Sequence, residues 1–264
     1  EILIGLVGSE MCIRDRFVGR DPRLAGTILY PGSSFRDRTV VLQTGQWIKN
    51  SDGQWEQKLG QSLGEKDDQG RYVTALNGPM VRNDQRECNR TGFYVRKYLD
   101  KTTSAGTDRG SEMWNVYFRL SEAYLIAAEA AYELNGGSDA TALKYINAVR
   151  SRAGVKELAS VNHQQIMHEN QVEFAFEGHR WWDLKRWRQA DKIWTGSEMD
   201  ITATRRGLWP FLVVSDDDKN GKWVFFEENM NRYYRNPLKC LPKHYYAEPV
   251  SYTHLRAHET DQYL

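Results

Sequence analysis

The chain has 264 residues, and its 36 Lys and Arg against 35 Asp and Glu leave a formal net charge of +1. This balance lacks the positive surplus that neutralises a run of phosphates, so we expect no nucleic acid as a partner. The mean hydropathy is −0.69, and no stretch of roughly 18 apolar residues occurs, which argues against a membrane-spanning helix in the sequence as given. Aromatic residues make up 12% of the chain, a content that slightly favours a sugar- or peptide-binding protein.

The first half of the chain predicts little regular structure. Residues 17–108 are rich in Gly, Asp, Asn and Arg, and their short apolar alternations predict loops with a few short strands. Residues 113–135 differ, because apolar or small residues recur there in steps of three and four, which predicts an amphipathic helix. Its predicted buried face comprises Tyr117, Leu120, Tyr124, Ala127, Ala128, Ala131 and Leu134.

Further elements follow from helix and turn signals. Gly136 ends the first helix, and Ser138 or Asp139 can cap a second one that continues to Gly154. A third helix is predicted at about residues 163–177 and a fourth after Gly178, and we expect the four to pack as antiparallel neighbours. The β-prone runs 209–214 and 222–226 are separated by Asn220 and Gly221, a strong hairpin signal. The predicted fold class is mainly α, with a helical core at about 113–189 and a few short β-hairpins.

The sequence predicts no cofactor and no zinc site. His168 and Glu169 begin like the zinc protease motif, but Val172 stands where the second His is required. The three cysteines contain no CxxC pair, so they offer neither a zinc knuckle nor a redox motif.

A calcium site at the predicted hairpin turn stays open as an alternative. Asp216, Asp218 and Asn220, followed by Glu227, satisfy the pattern of a calcium-binding loop. Residues 222–226 are strand-prone, however, and an extended run would carry Glu227 roughly 15 Å away from the turn. The hairpin is therefore the favoured interpretation.

Two carboxylates allow an enzymatic alternative. Glu173 and Glu177 would lie one helical turn apart on one face, where they could serve as the acid and nucleophile of a retaining glycosidase. The favoured interpretation is a buried ion pair, because a helix-face Glu beside Phe residues usually pairs with nearby arginines. The candidate partners are Arg150, Arg152 and Arg180.

Five ordered blocks of sequence carry a resemblance to a known family. They are DPRL with TILYPG at 21–32, RKY at 96–98, RLSEAYL with AEA at 119–130, INAVRSRAG at 146–154, and EFAFEGHRWWDL at 173–184. Together they resemble the C-terminal half of SusD/RagB-type proteins. One departure is Glu169-Asn170, where family members often carry Glu-Arg, which puts one family ion pair in doubt.

The resemblance implies a fold, a function and a location. The fold would be a TPR-like helical scaffold with long loops, in a surface-exposed lipoprotein of the outer membrane whose lipidated N-terminus is absent here. The function would be the capture of oligosaccharides or other nutrients for a SusC-like TonB-dependent transporter, without catalysis. Residues 17–249 would form the C-terminal half of the domain. Residues 1–16 and 250–264 resemble translated sequencing-adapter DNA, and we predict that they lie outside it.

The family's ligand contacts lie on variable loops, so no motif residue carries over a binding role, and the candidates come from the residues themselves. Trp47 and Trp55 lie in a polar, loop-like region where no core periodicity explains a large ring, and we predict that they contact a glycan. Trp181, Trp182 and Trp187 are expected to pack beneath the helices rather than to form a sugar platform. A third functional alternative is a scaffold that contacts the transporter and has no ligand site in this half.

Overall fold

The computed structural model describes residues 17, 19–79, 89–101, 113–114, 116–197, 206–229 and 238–240. They fall into two compact units, the first made of residues up to His179 together with Arg206–Glu228, and the second of the remainder. The described helices are α1 (Arg23–Thr27), α2 (Leu120–Asn135), α3 (Ala140–Arg152), α4 (His163–Glu173), α5 (His179–Arg186) and α6 (Ala190–Ile193). The described strands are β1 (Ile28–Leu29), β2 (Ser34–Phe35), β3 (Arg38–Thr39), β4 (Gly45–Lys49), β5 (Trp55–Leu59), β6 (Tyr94–Val95), β7 (Arg206–Val214) and β8 (Trp223–Asn229).

A four-stranded sheet in the order β5-β4-β7-β8 is larger than the sequence predicts. The β7–β8 hairpin is the expected one, but β4 and β5 form a second, antiparallel hairpin where mostly loops are predicted. Strand β4 also pairs in parallel with β7, and Gly45 lies opposite Phe211. The alternation of β4 is hidden in the sequence because buried Gln46 is polar, and its amide donates to Asp67 at 2.9 Å.

Helices α2, α3 and α4 pack together in the first unit, and α2 and α3 form the expected hairpin. The predicted start of α2 at residue 113 is wrong, because Arg119 has an extended backbone and the helix begins at Leu120. Its predicted face is also partly wrong. The buried residues of α2 are Leu125, Ala128 and Ala131, and the two small alanines let neighbouring helices approach closely. The residues of the predicted face that are exposed include Tyr117, Leu120 and Leu134.

Side-chain caps fix the start of the next two helices. Asp139 accepts hydrogen bonds from the backbone N–H groups of Thr141 and Ala142, as the sequence predicts. Asn162 and Gln165 form a capping box at the start of α4. Helix α4 ends at Glu173 rather than at residue 177, and residues 174–178 form a turn.

The second unit has a small core of its own. Leu184, Ala190 and Cys240 are buried together, with Trp194 packed against them. Among the described residues of the chain, no helix combines the length and apolar character needed to cross a bilayer.

Candidate functional site

The first unit contains a cluster of charged side chains, here called the ion-pair network. It begins at the end of α4 and reaches the segments around residues 21–23, 97, 119 and 150–152. Its members are Asp21, Glu169, Glu173 and Glu177 with Arg23, Lys97, Arg119, Arg150 and Arg152.

Glu173 is the most heavily paired carboxylate of the network. Its side chain is 1% exposed, its Oε1 accepts from Arg119 and Arg152, and its Oε2 accepts from Arg23 at 2.9 Å. Burial by itself raises the pKa of Glu173, but the hydrogen bonds from Arg119 and Arg23 and the nearby positive charges outweigh it and hold the pKa at about 2. Glu173 is therefore ionised at neutral pH.

Glu177 lies in the turn after α4 and is held by two cations. Lys97 Nζ lies 2.5 Å from its Oε1, and Arg119 Nε donates to its Oε2 at 2.9 Å. Burial raises the pKa of Glu177, and hydrogen bonds from Arg119 and Lys97 lower it by more, so the net direction is below its ordinary value. Arg119 also lies over the ring of Phe174, with 4.5 Å from its Cζ to the ring centroid.

Glu169 keeps two arginine partners despite the Asn that follows it. Arg23 donates to it at 2.6 Å and Arg150 at 2.7 Å, and its side chain is 1% exposed. The amide of Asn170 donates instead to the carbonyl of Ile166 at 3.0 Å, within α4.

These contacts bear on the two interpretations of Glu173 and Glu177. The expected pairing with Arg152 is confirmed at Glu173, whereas Arg150 pairs with Glu169 instead. Arg180 lies in the second unit. The two carboxylates do not share a helix face, because α4 ends at Glu173. Both have lowered pKa values, while the acid of a glycosidase needs a raised one to hold its proton. The arrangement therefore fits a structural ion-pair network better than a catalytic pair.

Sequence reasoning missed three of the cations in the network. Arg23, Lys97 and Arg119 belong to blocks that carry the family resemblance, but their partners lie far away along the chain. Arg23, for example, reaches Glu169 across 146 positions. The available signal was the recurrence of a basic residue in each of these blocks.

A cavity of about 360 Å³ opens beside the network. Its charged lining includes Arg23, Lys97, Arg119, Arg152, Glu173 and Glu177. Its apolar lining includes Tyr98 and Trp114, and Trp114 is 88% exposed. The Tyr98 hydroxyl donates to the Phe176 carbonyl at 2.8 Å. Phe176 has a φ of 65°, an uncommon conformation for a bulky residue.

Trp47 and Trp55 lie on β4 and β5, so the expectation that they are in loops is wrong. Their indole rings are nearly parallel, with an interplanar angle of 5° and centroids 6.0 Å apart. Trp47 also contacts Phe226, at 4.7 Å between centroids. The rings are half-buried on one face of the sheet, and their contact with a glycan stays a prediction.

The remaining tryptophans divide between packing and exposure. Trp181 stacks on Trp194 with 4.8 Å between centroids. Trp187 contacts the guanidinium of Arg186 at 4.2 Å. Trp182 does not pack beneath the helices as expected, since it is 66% exposed. The ammonium of Lys185 lies 5.4 Å from its ring centroid.

The turn between β7 and β8 has the geometry of a hairpin. Asp217 accepts from the Ser215 hydroxyl and from the Lys219 N–H, and Glu227 lies on β8 in an ion pair with Arg206. Across the described part of the chain, no group of three or more His, Cys, Asp or Glu side chains could hold a metal ion.

Comparisons with known proteins give a consistent family. The family model described as the SusD family matches residues 8–258, which includes parts of both terminal stretches predicted to lie outside the domain. A curated relative, SusD-like protein P25 of Formosa agariphila, is 36% identical over 42% of this chain and 24% of its own. The chain thus spans about a quarter of the length of that relative.

Two solved structures from Bacteroides fragilis share the fold. A SusD-like protein aligns with a TM-score of 0.51 at 22% identity, over 89% of this chain and 37% of its own. A SusD-like carbohydrate binding protein aligns with a TM-score of 0.50 at 20% identity, over 90% of this chain and 41% of its own.

Proposed function

This chain belongs to the SusD family, and on that premise we propose that it is a glycan-binding subunit of a nutrient-uptake system. Family membership is the observation that carries the proposal. The structural relative from Bacteroides fragilis that is a SusD-like carbohydrate binding protein supports the ligand class. In this proposal the protein captures oligosaccharides and does not cleave them, which agrees with the lowered pKa values of Glu173 and Glu177.

The proposed location and partner follow from the family resemblance. The protein would be a surface-exposed lipoprotein of the outer membrane that delivers its ligand to a SusC-like TonB-dependent transporter. Residues 17–249 would supply the C-terminal half of the domain, and the hairpin of α2 and α3 would be one TPR-like unit of its scaffold.

Trp47 and Trp55 form the proposed glycan platform. Sugar rings stack their apolar faces on indoles, and these two parallel, stacked indoles are half-buried, so part of their ring surface is accessible to a sugar. Polar groups that can bond sugar hydroxyls lie beside the platform. The ammonium groups of Lys49 and Lys219 lie 5.1 and 5.9 Å from the Trp55 ring, and Asp217 pairs with Lys49 at 3.5 Å.

Affinity electrophoresis of the full-length protein tests this function. Native gels containing one polysaccharide each would be run with the wild type and with the Trp47→Ala and Trp55→Ala variants. Trp182→Ala is the matched control, because it removes an exposed indole from the second unit. We expect at least one polysaccharide to retard the wild type and the control, and to retard the two platform variants less.

Two results would contradict parts of the proposal. Retardation that survives both platform substitutions would place the ligand site elsewhere. Failure of every polysaccharide to retard the wild type would overturn glycan binding and favour a scaffold that only contacts the transporter.

A further inference from the structure

The ion-pair network carries one more positive than negative charge. It contains five cations, Arg23, Lys97, Arg119, Arg150 and Arg152, and four carboxylates, Asp21, Glu169, Glu173 and Glu177. A charge imbalance in a partly buried cluster favours the approach of an anion, provided that one of the cations has donors to spare.

Two of the cations have no donors to spare. Arg119 uses its guanidinium on Glu173, on both oxygens of Glu177 and on the Ser121 hydroxyl. Lys97 has three N–H donors, and its Nζ contacts Glu177 and the carbonyls of Glu173 and Ala175. Neither side chain can bind a ligand without breaking bonds inside the network.

Arg152 is the most exposed cation of the network and has donors to spare. Its side chain is 61% exposed, and among the described residues its guanidinium bonds only through Nη2, to Glu173 Oε1. The other cations of the network are at most 25% exposed. Arg152 therefore combines the excess charge of the cluster with N–H groups that can still form a two-point contact with a carboxylate or a sulfate.

The surroundings of Arg152 suit a sugar that carries such a group. Arg152 lines the cavity of about 360 Å³ together with Trp114 and Tyr98, and this volume lies in the range of small-ligand sites. The exposed indole of Trp114 offers a stacking face. Both oxygens of Glu173 and of Glu177 accept bonds from cations, which reduces their repulsion of an anion.

We propose that this cavity binds an acidic sugar unit, whose carboxylate or sulfate group pairs with Arg152 and whose ring packs on Trp114. The proposal rests on the glycan-binding function above and deepens it by naming the charge class of the ligand. It adds a second contact region to the platform of Trp47 and Trp55.

Isothermal titration calorimetry with charged and neutral sugars tests the proposal. The carboxylate probe is trigalacturonic acid with its fully methyl-esterified form as the neutral match, and the sulfate probe is a chondroitin sulfate tetrasaccharide with its desulfated form. The full-length protein would be compared with Arg152→Gln, Arg152→Lys and Trp114→Ala. Lys144→Gln is the matched control, because it removes one exposed positive charge from the same helix outside the cavity lining.

We expect at least one acidic probe to bind more tightly than its neutral match. The affinity for that acidic probe should fall as the salt concentration rises. Arg152→Gln should weaken this binding about tenfold, and Arg152→Lys should weaken it less because the charge is kept. Lys144→Gln should leave it unchanged, and Trp114→Ala should weaken acidic and neutral probes alike. Glu173 keeps Arg23 and Arg119 as partners in Arg152→Gln, so the melting temperature of that variant should stay near that of the wild type.

Other outcomes separate this proposal from the proposed function. Equal affinity of wild type and Arg152→Gln for an acidic probe would overturn the role of Arg152. Retardation by neutral polysaccharides without binding of either acidic probe would overturn the acidic-sugar proposal and leave glycan binding intact. Absence of binding to all glycans, neutral and acidic, would overturn both.

Discussion

A contact between Arg119 and Glu173 connects two helices. Arg119 immediately precedes α2, and its guanidinium donates to the Glu173 side chain and, at 2.8 Å, to the Glu173 main-chain carbonyl. Since Glu173 ends α4, the contact ties the start of α2 to the end of α4. The extended backbone that lets Arg119 make this contact also places the start of α2 at Leu120.

Replacement of Glu173 by Gln should destabilise the protein strongly. The substitution removes a buried negative charge and leaves Arg23, Arg119 and Arg152 with one fewer counter-charge. Breaking a buried pair in this way lowers the free energy of unfolding by about 3 kcal/mol. Urea denaturation followed by circular dichroism would measure it. Glu157→Gln is the control, because Glu157 is exposed, and a loss of equal size there would contradict the role of the network.

The same carboxylates should make stability depend on acidic pH. The pKa of Glu173 falls from 4.5 to about 2 on folding, and the pKa of Glu177 is also lowered. A group whose pKa is lower in the folded state contributes its full stabilisation above its unfolded-state pKa. That stabilisation is lost as the pH falls through its folded-state pKa. We therefore expect the free energy of unfolding to be level above about pH 5.5 and to fall between about pH 4.5 and 2.

Denaturation curves at a series of pH values, for the wild type and for Glu173→Gln, would check this expectation. The variant should show a shallower decline, because it lacks the strongly lowered carboxyl of Glu173. Parallel declines in the two proteins would show that other carboxyls govern the acid response.

The local signals in the sequence predicted local structure well. Asp139 as a cap and Asn220-Gly221 as a hairpin turn were readable because their partners lie within a few residues. The start of α2 and the end of α4 could not be predicted in this way, because they depend on Arg119 and Glu173, which meet only in the folded protein. Apolar periodicity continues through residues 113–119 and gives no sign of the break.

The sheet and the site were harder to predict for the same reason. Strand β4 pairs with β7, which lies far away along the chain. The buried position 46 of β4 holds a polar Gln46, which donates a hydrogen bond to Asp67, so no apolar residue marks this position in the sequence. The favoured interpretation of Glu173 as an ion-pair residue was correct. Its partners Arg23 and Arg119 could not be assigned without the fold, because pairings across such separations leave no periodic pattern.

Gly45→Ala should disrupt the sheet. A Cβ at Gly45 would lie 2.5 Å from the Lys58 carbonyl oxygen and 2.5 Å from the Phe211 ring, so backbone or ring must move. Overpacking of this kind costs about 1–3 kcal/mol in free energy of unfolding. Gly26→Ala is the control, since a Cβ there meets nothing within 4 Å. Thermal unfolding of both variants would measure the difference, and an unchanged Gly45→Ala protein would contradict the close packing.

The backbone at Phe176 gives a prediction about strain. Its φ of 65° suits glycine and is unfavourable for a bulky residue, especially a β-branched one. Phe176→Gly should therefore unfold with a free energy about 1–2 kcal/mol higher than Phe176→Val, although both lose the same ring. Chemical denaturation of the two variants would test this, and equal stabilities would show that the turn relaxes to another conformation.

The parallel pairing of β4 with β7 has a consequence for biosynthesis. Every member of the ion-pair network lies between residues 21 and 177, so all have been synthesised before β7, which begins at Arg206. The hairpin of β4 and β5 must wait through the translation of α2 to α6 before β7, the neighbour of β4, emerges. A nascent chain can thus assemble its charged centre first, while the edge of β4 stays open to pairing with other chains until translation passes residue 214.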